Sequence, residues 1–372
     1  MITKYKINNL EHSITFCKKN NLNLISKAIL QSQSDRNILF VYDRNVDKSL
    51  VNEIVGELKI TGCNIHLLEC SGNKKNKSEK LLFKILDMLI KFKFTKRSVV
   101  LSFGGGVLGD VAALASCLYL RGTYYFCIPT TMTSIVDSSL GGKTAINYKG
   151  LINAIGSYYH PTNVFIIENV IKKIPKREFL AGIPEIIKCG IIDNYKIIKY
   201  LKNNSNAILS RRINNVFELC NLTLLSKIKH FKDDIYEKNQ RLYLNFGHTF
   251  AHAVEMATEK IFKDEKLRHG EAVGIGMLSE IFYANKKKSK VYNVVFNLLR
   301  DFGLPTSLDK NLVKKNYSKL QNEIYHFIFL DKKKISKNPR YISLKKLSKP
   351  SIQEIKDFDF LNDTISKIIL NR

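Results

Sequence analysis

The first half of the chain alternates short apolar runs with longer amphipathic segments. The runs at 37–42, 65–68 and 98–103 are rich in Ile, Leu, Val and Phe, and they predict three strands. Apolar residues with helical spacing predict helices over 51–61 and 78–92. Short buried strands separated by helices are typical of a parallel sheet with helices on its faces. We therefore predict an α/β domain in the first half.

The second half of the chain follows a different pattern. From about Pro175 onward the apolar residues recur with helical spacing, and strand signals are few apart from a short one around 340–347. At 372 residues the chain exceeds what one hydrophobic core usually supports. We predict two domains, an α/β domain over 1–178 and a mainly α-helical domain over 179–372.

Composition narrows the possible functions. The net charge is +27, but the lysines are dispersed and accompany abundant Ile and Asn, so the bias is spread over the whole chain. We predict no nucleic-acid partner and a general attraction for anionic substrates. The most apolar stretch, about 98–120, is interrupted by glycines and an aspartate, and the N-terminus lacks a signal-peptide core. With seven scattered cysteines and no Cys-x-x-Cys pair, this predicts a cytoplasmic protein with reduced thiols and no membrane partner.

The segment 241–271 carries the strongest chemical signal. It contains three histidines: His248, His252 and His269. The first two are four residues apart and share one face of a predicted helix, and the third opens another helical run. This spacing suits a divalent metal, or one metal ligand and one histidine free for proton transfer. A pair of ordinary hydrogen-bonded histidines is the alternative interpretation.

A glycine-rich loop follows the third predicted strand. Gly104, Gly105 and Gly106 lead directly into a helical segment, and the spacing satisfies G-x-G-x-x-G. Such a turn lets backbone N–H groups approach a pyrophosphate at a helix N-terminus, which favours a dinucleotide. The acidic residue usual about twenty positions later is missing, so a purely structural turn is the alternative.

A second glycine motif resembles a phosphate-binding Walker loop. It reads Gly141-Gly142-Lys143-Thr144, but Asp137 stands where the first glycine of that motif belongs. A carboxylate there would repel a triphosphate, which excludes a nucleotide triphosphatase. Lys143 remains a candidate anion contact, and Asp137 a candidate partner for a hydroxyl or a water.

Seven segments occur in the order and at the spacing of one known family. They read GGGVLGD, YLRG, PTT, DSSLGGKT, PEIIKCG, NFGHTFAH and HGEAV. Over nearly its full length the chain resembles the 3-dehydroquinate synthases, which are sugar phosphate cyclases. The resemblance implies an NAD-binding α/β domain, a helical domain that binds metal and substrate, and a homodimer. The divalent metal would be Zn²⁺ in the first place, with Co²⁺ as the alternative.

The resemblance also implies roles for individual residues. The metal ligands would be Glu185, His248 and His269. The catalytic residues would be Asp137, Lys188, Glu237, Asn245 and His252. Substrate would be bound by Arg121 of a neighbouring subunit and by Lys143, Asn153, Lys227, Arg241 and one of Lys332 and Lys333. NAD would be bound by Asp43, Asn45, Lys77, Gly104, Gly105, Gly106, Asp110, Thr130 and Thr131. The apolar surroundings of Glu185 independently predict a buried carboxylate that needs a metal or a cation.

The implied reaction converts 3-deoxy-D-arabino-heptulosonate 7-phosphate into 3-dehydroquinate and phosphate, a step of aromatic amino-acid biosynthesis in the shikimate pathway. NAD⁺ oxidises the C5 hydroxyl, phosphate leaves by β-elimination, the hydride returns, and the opened ring closes by an intramolecular aldol step. The alternatives are another sugar phosphate cyclase, a metal-dependent alcohol dehydrogenase that releases NADH, and a homologue with impaired catalysis. Arg241 and Lys227 favour an acidic substrate, because a paired cationic site recognises a carboxylate.

Three departures from the family pattern fall on the cofactor side. Lys74 replaces a glutamate, Ile152 replaces a lysine near the NAD phosphates, and Lys173 replaces a threonine. We predict that NAD binds more weakly than is usual for the family. Lys74 and Lys173 are candidates to supply part of the positive charge that is lost at Ile152.

Overall fold

The computed structural model describes residues 1–19, 21–330 and 338–371. The chain divides into two compact units, Met1–Pro175 and Lys176–Arg372, which we call the N-terminal and C-terminal units. Their boundary lies close to the predicted one after residue 178.

The N-terminal unit is built on a seven-stranded sheet with the strand order β1-β2-β9-β6-β5-β3-β4. The strands are β1 Ile2–Ile7, β2 Leu10–Cys17, β3 Asn37–Asp43, β4 Asn64–Cys70, β5 Val99–Gly104, β6 Tyr124–Pro129 and β9 Asn163–Ile167. A separate antiparallel pair consists of β7 Lys143–Tyr148 and β8 Leu151–Tyr158. Among the residues that the structure describes, β1 is the one antiparallel strand of the large sheet, and its other six strands pair in parallel.

The described part of this unit contains five α-helices. They are α1 Asn23–Gln31, α2 Lys48–Ile60, α3 Glu79–Lys91, α4 Gly106–Leu118 and α5 Glu168–Lys173. Phe40, Leu101 and Phe126, from three adjacent strands, are fully buried in the core that the sheet forms with its helices. The three predicted strands and both predicted helices are confirmed to within a few residues, and so is the parallel α/β architecture.

The prediction that the strand at 98–103 is the third is wrong. It is β5, because β1 and β2 precede the three predicted strands. The N-terminal hairpin was missed: β1 alternates buried Tyr5 and Ile7 with solvent-facing lysines, so it lacks a continuous apolar run. Asn8 and Asn9 connect β1 to β2, and both have positive φ (48° and 66°), as a two-residue hairpin turn requires.

The sheet reverses its direction of growth between β3 and β5. From β3 the chain moves outward to β4, and β5 and β6 then extend the sheet on the opposite side of β3. In an open parallel sheet, ligands bind outside the carboxyl ends of the strands at such a switch point. Asp43 ends β3 and Gly104 ends β5, so the predicted cofactor residues flank this point.

The C-terminal unit is mainly helical. Its helices are α6 Lys176–Leu180, α7 Ile183–Ile192, α8 Tyr195–Asn203, α9 Ser205–Leu209, α10 Ile213–Phe231, α11 His248–Phe262, α12 His269–Asn285, α13 Lys290–Asp301, α14 Lys310–Phe329 and α15 Phe358–Thr364. The predicted late strand is confirmed as β10 Arg340–Leu344, which pairs antiparallel with β11 Pro350–Glu354. Helix α12 is buried at every position from Gly270 to Ala284, as expected of a helix that other elements surround.

The state of the cysteines and the apolarity of the helices bear on the compositional predictions. All seven cysteines are free thiols, and every one except Cys117 is buried. Within the described residues, no helix combines the length and apolarity needed to cross a bilayer. The cytoplasmic location stays a prediction.

Candidate active site

Three side chains from three helices converge in the C-terminal unit. Glu185 lies in the first turn of α7, His248 is the first residue of α11, and His269 is the first residue of α12. Oε1 of Glu185 is 3.6 Å from Nε2 of His248 and 3.5 Å from Nε2 of His269. One ligand atom from each residue lies within 4.8 Å of the other two. The structure therefore brings the three predicted metal ligands together.

Glu185 is a carboxylate in a buried position. It is 1% exposed, as its apolar neighbours predicted, and its Oε2 forms an ion pair with Lys188, which is 2% exposed. Burial by itself raises the pKa of Glu185, but the Lys188 charge and the nearby His269 ring outweigh it and lower the pKa to about 2. The glutamate is thus charged at neutral pH and available as a ligand.

The donor set fits a divalent metal. Nδ1 of His248 lies 3.2 Å from the Phe246 carbonyl, which can only accept, so this nitrogen carries the proton and Nε2 has a lone pair. Nδ1 of His269 lies 3.2 Å from a carboxylate oxygen of Glu255, which favours the same tautomer. Oε1 of Glu185 accepts no hydrogen bond from the described part of the chain. Two imidazole lone pairs and a carboxylate oxygen that face one another are suited to Zn²⁺ or Co²⁺.

His252 stays on the open side of this cluster. Its ring centroid is 5.4 Å from that of His248 and 6.0 Å from that of His269. Together with Asn245 it lines a cleft in the C-terminal unit, next to His248. The structure thus brings a candidate proton donor beside the candidate metal ligands.

The loop before α11 carries three of the predicted residues, and the end of α10 carries a fourth. Nδ2 of Asn245 donates a hydrogen bond to Oε1 of Glu237, whose backbone has a left-handed φ of 57°. Arg241 is 3% exposed and donates from Nη1 to the Ile235 carbonyl at 2.6 Å. Lys227, on α10, is 6% exposed. Buried cations of this kind are suited to an anionic ligand.

Asp234 organises this loop, and the sequence interpretation missed it. Its carboxylate accepts the backbone N–H groups of Lys238 and Asn239 at 2.8 Å and that of Arg241 at 3.0 Å. The side chain is 7% exposed. Burial raises the pKa of Asp234, but the three backbone N–H groups and the Arg241 charge lower it overall. The sequence signal was an aspartate that opens a polar loop, where Asp often accepts nearby backbone N–H groups.

We expect Asp234→Asn to destabilise the C-terminal unit by about 2 kcal/mol at pH 7, because an amide replaces a charged acceptor of three N–H groups. A carboxyl with a lowered pKa stabilises the fold above its unfolded pKa and loses this contribution as the pH falls through the folded value. The difference in free energy of unfolding between the parent chain and Asp234→Asn should therefore shrink as the pH falls below the ordinary aspartate pKa. Denaturant unfolding at a series of pH values measures it.

Asp233→Asn is the control for this substitution, because Asp233 is the preceding residue and its side chain is 72% exposed. It should leave the unfolding midpoint almost unchanged. An Asp234→Asn midpoint equal to that of the control would contradict the role of Asp234 in holding the loop.

The cofactor residues predicted in the N-terminal unit gather at the carboxyl ends of the strands. Oδ2 of Asp43 accepts the Gly72 N–H at 2.8 Å, and its Oδ1 accepts the Asn45 N–H at 2.9 Å. Nζ of Lys77 is 2.6 Å from Oδ2 of Asp110. It also donates to Oδ1 of Asn153 at 2.6 Å. These contacts join the ends of β3 and β4 to the start of α4 and the β7–β8 pair.

The glycine loop fits a pyrophosphate. Helix α4 begins after Gly105 with no side-chain cap, so its first N–H groups point toward an incoming ligand. A Cβ at Gly106 would lie 2.8 Å from Oγ of Ser138, and one at Gly105 would lie 3.4 Å from Cγ2 of Thr131. The loop lines a cleft together with Asp110 and Lys143. The backbone of Thr130 donates to the Gly104 carbonyl at 2.9 Å, so the predicted threonines adjoin the loop.

The remaining predicted residues lie as follows. Asp137 is half-buried in a short π-helix, Ser134–Ser138, and Lys143 opens β7 with an exposed side chain. Arg121 is exposed, and both it and Leu120 have left-handed backbones with φ of 64° and 49°. Two consecutive strained residues at an exposed turn are typical of a functional segment. Lys332 and Lys333 lie outside the described residues.

Comparisons with known proteins agree with this geometry. A family model described as the N-terminal domain of 3-dehydroquinate synthase matches residues 67–181, and one described as the C-terminal domain matches residues 182–334. A 3-dehydroquinate synthase of Ruminiclostridium cellulolyticum is 31% identical over 99% of both chains. One of Pelagibacter ubique is 34% identical over 94% of both chains.

Solved structures share the fold at lower identity. A 2-deoxy-scyllo-inosose synthase, in complex with carbaglucose-6-phosphate, NAD⁺ and Co²⁺, has a TM-score of 0.83 and 22% identity, and the match covers 99% of this chain and 100% of the other. The 2-epi-5-epi-valiolone synthase of Streptomyces hygroscopicus, with NAD⁺ and Zn²⁺ bound, has a TM-score of 0.79 and 20% identity over 98% of both. A probable glycerol dehydrogenase of Sinorhizobium meliloti, at 12% identity over 98% of both, has a TM-score of 0.66. From the two matching domains and the full-length relatives, the chain belongs to the 3-dehydroquinate synthase family.

Proposed function

We propose that this chain converts 3-deoxy-D-arabino-heptulosonate 7-phosphate into 3-dehydroquinate and phosphate, with NAD⁺ and a divalent metal, in the shikimate pathway. Membership of the family supports the activity. The observation that carries the proposal is the cluster of Glu185, His248 and His269, whose lone pairs face one another without a hydrogen bond to Oε1 of Glu185 from any described residue. Its chemistry is that of a metal site with room for substrate oxygens.

The two cofactors supply chemistry that amino acids lack: NAD⁺ takes up and returns a hydride, and the metal polarises a substrate oxygen. Glu185, His248 and His269 would hold the metal. The turn from Gly104 to Gly106 and the N-terminus of α4 would hold the cofactor pyrophosphate, with Lys77 and Asp43 beside it. The switch point between β3 and β5 is the position where such sheets bind dinucleotides.

The other residues of the site would bind the substrate and move its protons. Lys227 and Arg241 would bind carboxylate or phosphate oxygens, because they are buried cations. Arg241 is held in place by the Asp234 loop, so it can bind an anion without first being ordered. Glu237 would accept a proton while Asn245 orients its carboxylate through their hydrogen bond. His252 would face the departing phosphate from the open side of the cleft.

Two alternative activities share the fold. The inosose and valiolone synthases act within the same architecture, and so does a probable glycerol dehydrogenase. Lys227 and Arg241 favour an acidic sugar phosphate over a neutral polyol, because cationic side chains bind carboxylate and phosphate oxygens.

A phosphate-release assay tests the proposal. The purified protein is loaded with Zn²⁺ and given NAD⁺ and 3-deoxy-D-arabino-heptulosonate 7-phosphate, and the organic product is identified by mass. Phosphate and 3-dehydroquinate should appear in equal amounts without net NADH. Accumulation of NADH would indicate a simple dehydrogenase. Release of phosphate only from a heptulose or hexose phosphate that lacks a carboxylate would indicate another cyclase.

We expect Ile152→Lys to tighten NAD⁺ binding about fivefold. Ile152 is 54% exposed on β8, next to Asn153, which contacts Lys77. A lysine there adds a cation near the cofactor phosphates, and one exposed ion pair contributes about 1 kcal/mol. Lys74 and Lys173 do not occupy a position equivalent to 152. Lys173 pairs with Asp47 at the start of α2, and Lys74 lies in the short helix Lys74–Asn76. Calorimetric titration of NAD⁺ measures the change.

Ile60→Lys is the matched control. Ile60 is 82% exposed at the C-terminal end of α2, just before β4 begins, so it lies toward the amino ends of the strands. It adds the same charge away from the candidate cofactor site and should leave NAD⁺ affinity unchanged. Equal affinities for both variants and the parent chain would contradict the proposed role of position 152.

We further propose a homodimer that forms through the N-terminal unit. Leu118 and Leu120 lie at the end of α4, and β8 presents Leu151 and Ile155 on one face; all four are exposed. Cys117 contacts Ser157 at 3.4 Å, which places the end of α4 beside β8. Exposed apolar side chains on two adjoining elements are suited to a protein interface. Light scattering of the purified protein should give twice the mass of one chain.

A further inference from the structure

We propose that Glu255 is the residue that positions His269 as a metal ligand and supplies the second negative charge of the metal site. This inference rests on the proposed metal site. Glu255 lies on α11 and its carboxylate faces Nδ1 of His269 at 3.2 Å and 3.3 Å, while the other ring nitrogen faces Glu185. Glu255 and the candidate metal position therefore lie at different nitrogens of the His269 ring, Glu255 at Nδ1 and the metal position at Nε2.

The spacing on α11 explains why a single helix can do this. Glu255 follows His248 by seven residues, which is two helical turns, so both side chains lie on the same face. The ring of His269 lies 5.3 Å from that of His248, centroid to centroid, and its Nδ1 reaches Glu255 one helical turn beyond His252. Helix α11 therefore contributes one ligand directly and orients the other.

The backbones of α11 and α12 are in close contact near this site, which makes the arrangement stiff. A Cβ at Gly276 of α12 would lie 2.0 Å from the Gly247 carbonyl and 2.9 Å from the Ala251 nitrogen of α11. This backbone contact fixes the distance between the two helices at Gly276. The orientation of the His269 ring is left to its second nitrogen, and Glu255 is the described partner of that nitrogen.

Charge gives Glu255 a second role. Lys188 pairs with Glu185, so the one anionic ligand is already matched by a buried cation. A divalent metal bound by two neutral imidazoles and a neutralised carboxylate would leave about two positive charges in a largely buried site. The Glu255 carboxylate, whose side chain is 16% exposed, offsets one of them through the imidazole. Carboxylates that orient metal-bound histidines typically strengthen metal binding about 10- to 100-fold.

A graded pair of substitutions separates orientation from charge. Glu255→Gln keeps an oxygen that can accept the Nδ1 hydrogen but removes the charge, and Glu255→Ala removes both. We expect Zn²⁺ affinity, measured by competition with a chromophoric chelator, to fall about tenfold in the first variant and about 100-fold in the second. The visible absorption bands of the Co²⁺-loaded protein should shift in both variants, which a merely structural role of Glu255 would not cause.

Glu259→Gln is the matched control, because Glu259 lies four residues further along α11 and is exposed. It should keep the parental Zn²⁺ affinity and Co²⁺ spectrum. Circular dichroism of the metal-free proteins shows whether all three variants fold. A folded Glu255→Ala protein with parental metal affinity would overturn the inference.

Two further outcomes keep this inference distinct from the proposed function. If Glu185→Gln and His269→Asn also bind Zn²⁺ like the parent, the metal site itself is wrong. If they lose Zn²⁺ while the Glu255 variants keep it, only the role of Glu255 is wrong.

His252, Glu255 and His269 could also gather around an ion. A parent chain that binds two Zn²⁺ ions, one of them lost in Glu255→Gln, would make Glu255 a ligand and overturn its positioning role.

Discussion

Glu185→Gln is expected to abolish tight Zn²⁺ binding and to lower phosphate release roughly 1,000-fold. Glutamine has the same shape but no charge, so the two imidazole lone pairs would face a neutral amide. A bound metal would polarise a substrate oxygen and contribute several kcal/mol to the reaction, and each 1.4 kcal/mol is a factor of ten in rate. Chelator competition and the phosphate-release assay measure the two effects separately.

The same substitution leaves Lys188 without its carboxylate partner in a buried position. Breaking a buried ion pair in this way commonly costs about 3–5 kcal/mol, so the variant is compared with the parent only where circular dichroism shows both folded. Glu185→Asp retains the charge and should recover part of the metal affinity. Parental Zn²⁺ affinity in a folded Glu185→Gln protein would exclude Glu185 as a ligand.

Gly270→Ala is expected to destabilise the C-terminal unit by about 3 kcal/mol or more and to weaken metal binding. A Cβ at this position would lie 1.6 Å from the backbone carbonyl of Ala181, and a carbonyl cannot turn away as a side chain can. Gly270 directly follows His269 in α12, so any movement of α12 that relieves the overlap also moves a candidate ligand. Thermal unfolding and Zn²⁺ competition should both report the change.

Gly274→Ala, one turn further along α12, is the matched control. Its added Cβ would meet a terminal methyl of Leu299 at 3.0 Å, and that side chain can shift by a few tenths of an ångström. Alanine also favours the helix over glycine by about 1 kcal/mol, so the net effect should be small. Gly270→Ala unfolding at the same temperature as Gly274→Ala would mean that the Ala181 contact is not rigid.

The elements that sequence patterns predicted correctly depend on neighbours along the chain. The spacing of His248 and His252 predicted a helix with both rings on one face, and α11 has that form. Apolar residues on both sides of Glu185 predicted its burial, and the side chain is 1% exposed. Amphipathic periodicity and buried strands are local properties, because a helix or strand repeats within a few residues.

The missed features depend on the partners that folding supplies. The β1–β2 hairpin was missed because edge strands with one solvated face have a weak apolar signal. Asp234 was missed because its partners are backbone N–H groups, which every residue has and no sequence pattern distinguishes. The contact from Lys77 to Asn153 joins residues 76 positions apart, and only the return of the β7–β8 pair to α3 brings them together.

The residues available to the site were therefore evident in the amino-acid order: three histidines, one buried glutamate, a glycine turn after a strand, and many cations. Which of their atoms face one another was decided by tertiary packing. Glu255 shows the difference. Its place in the sequence of α11 does not distinguish it from other glutamates, and the packing of α12 brings Nδ1 of His269 to its carboxylate. Local sequence sets the direction of a side chain relative to its own helix. The distance from that side chain to a group on another helix depends on how the two helices pack, which local periodicity does not encode.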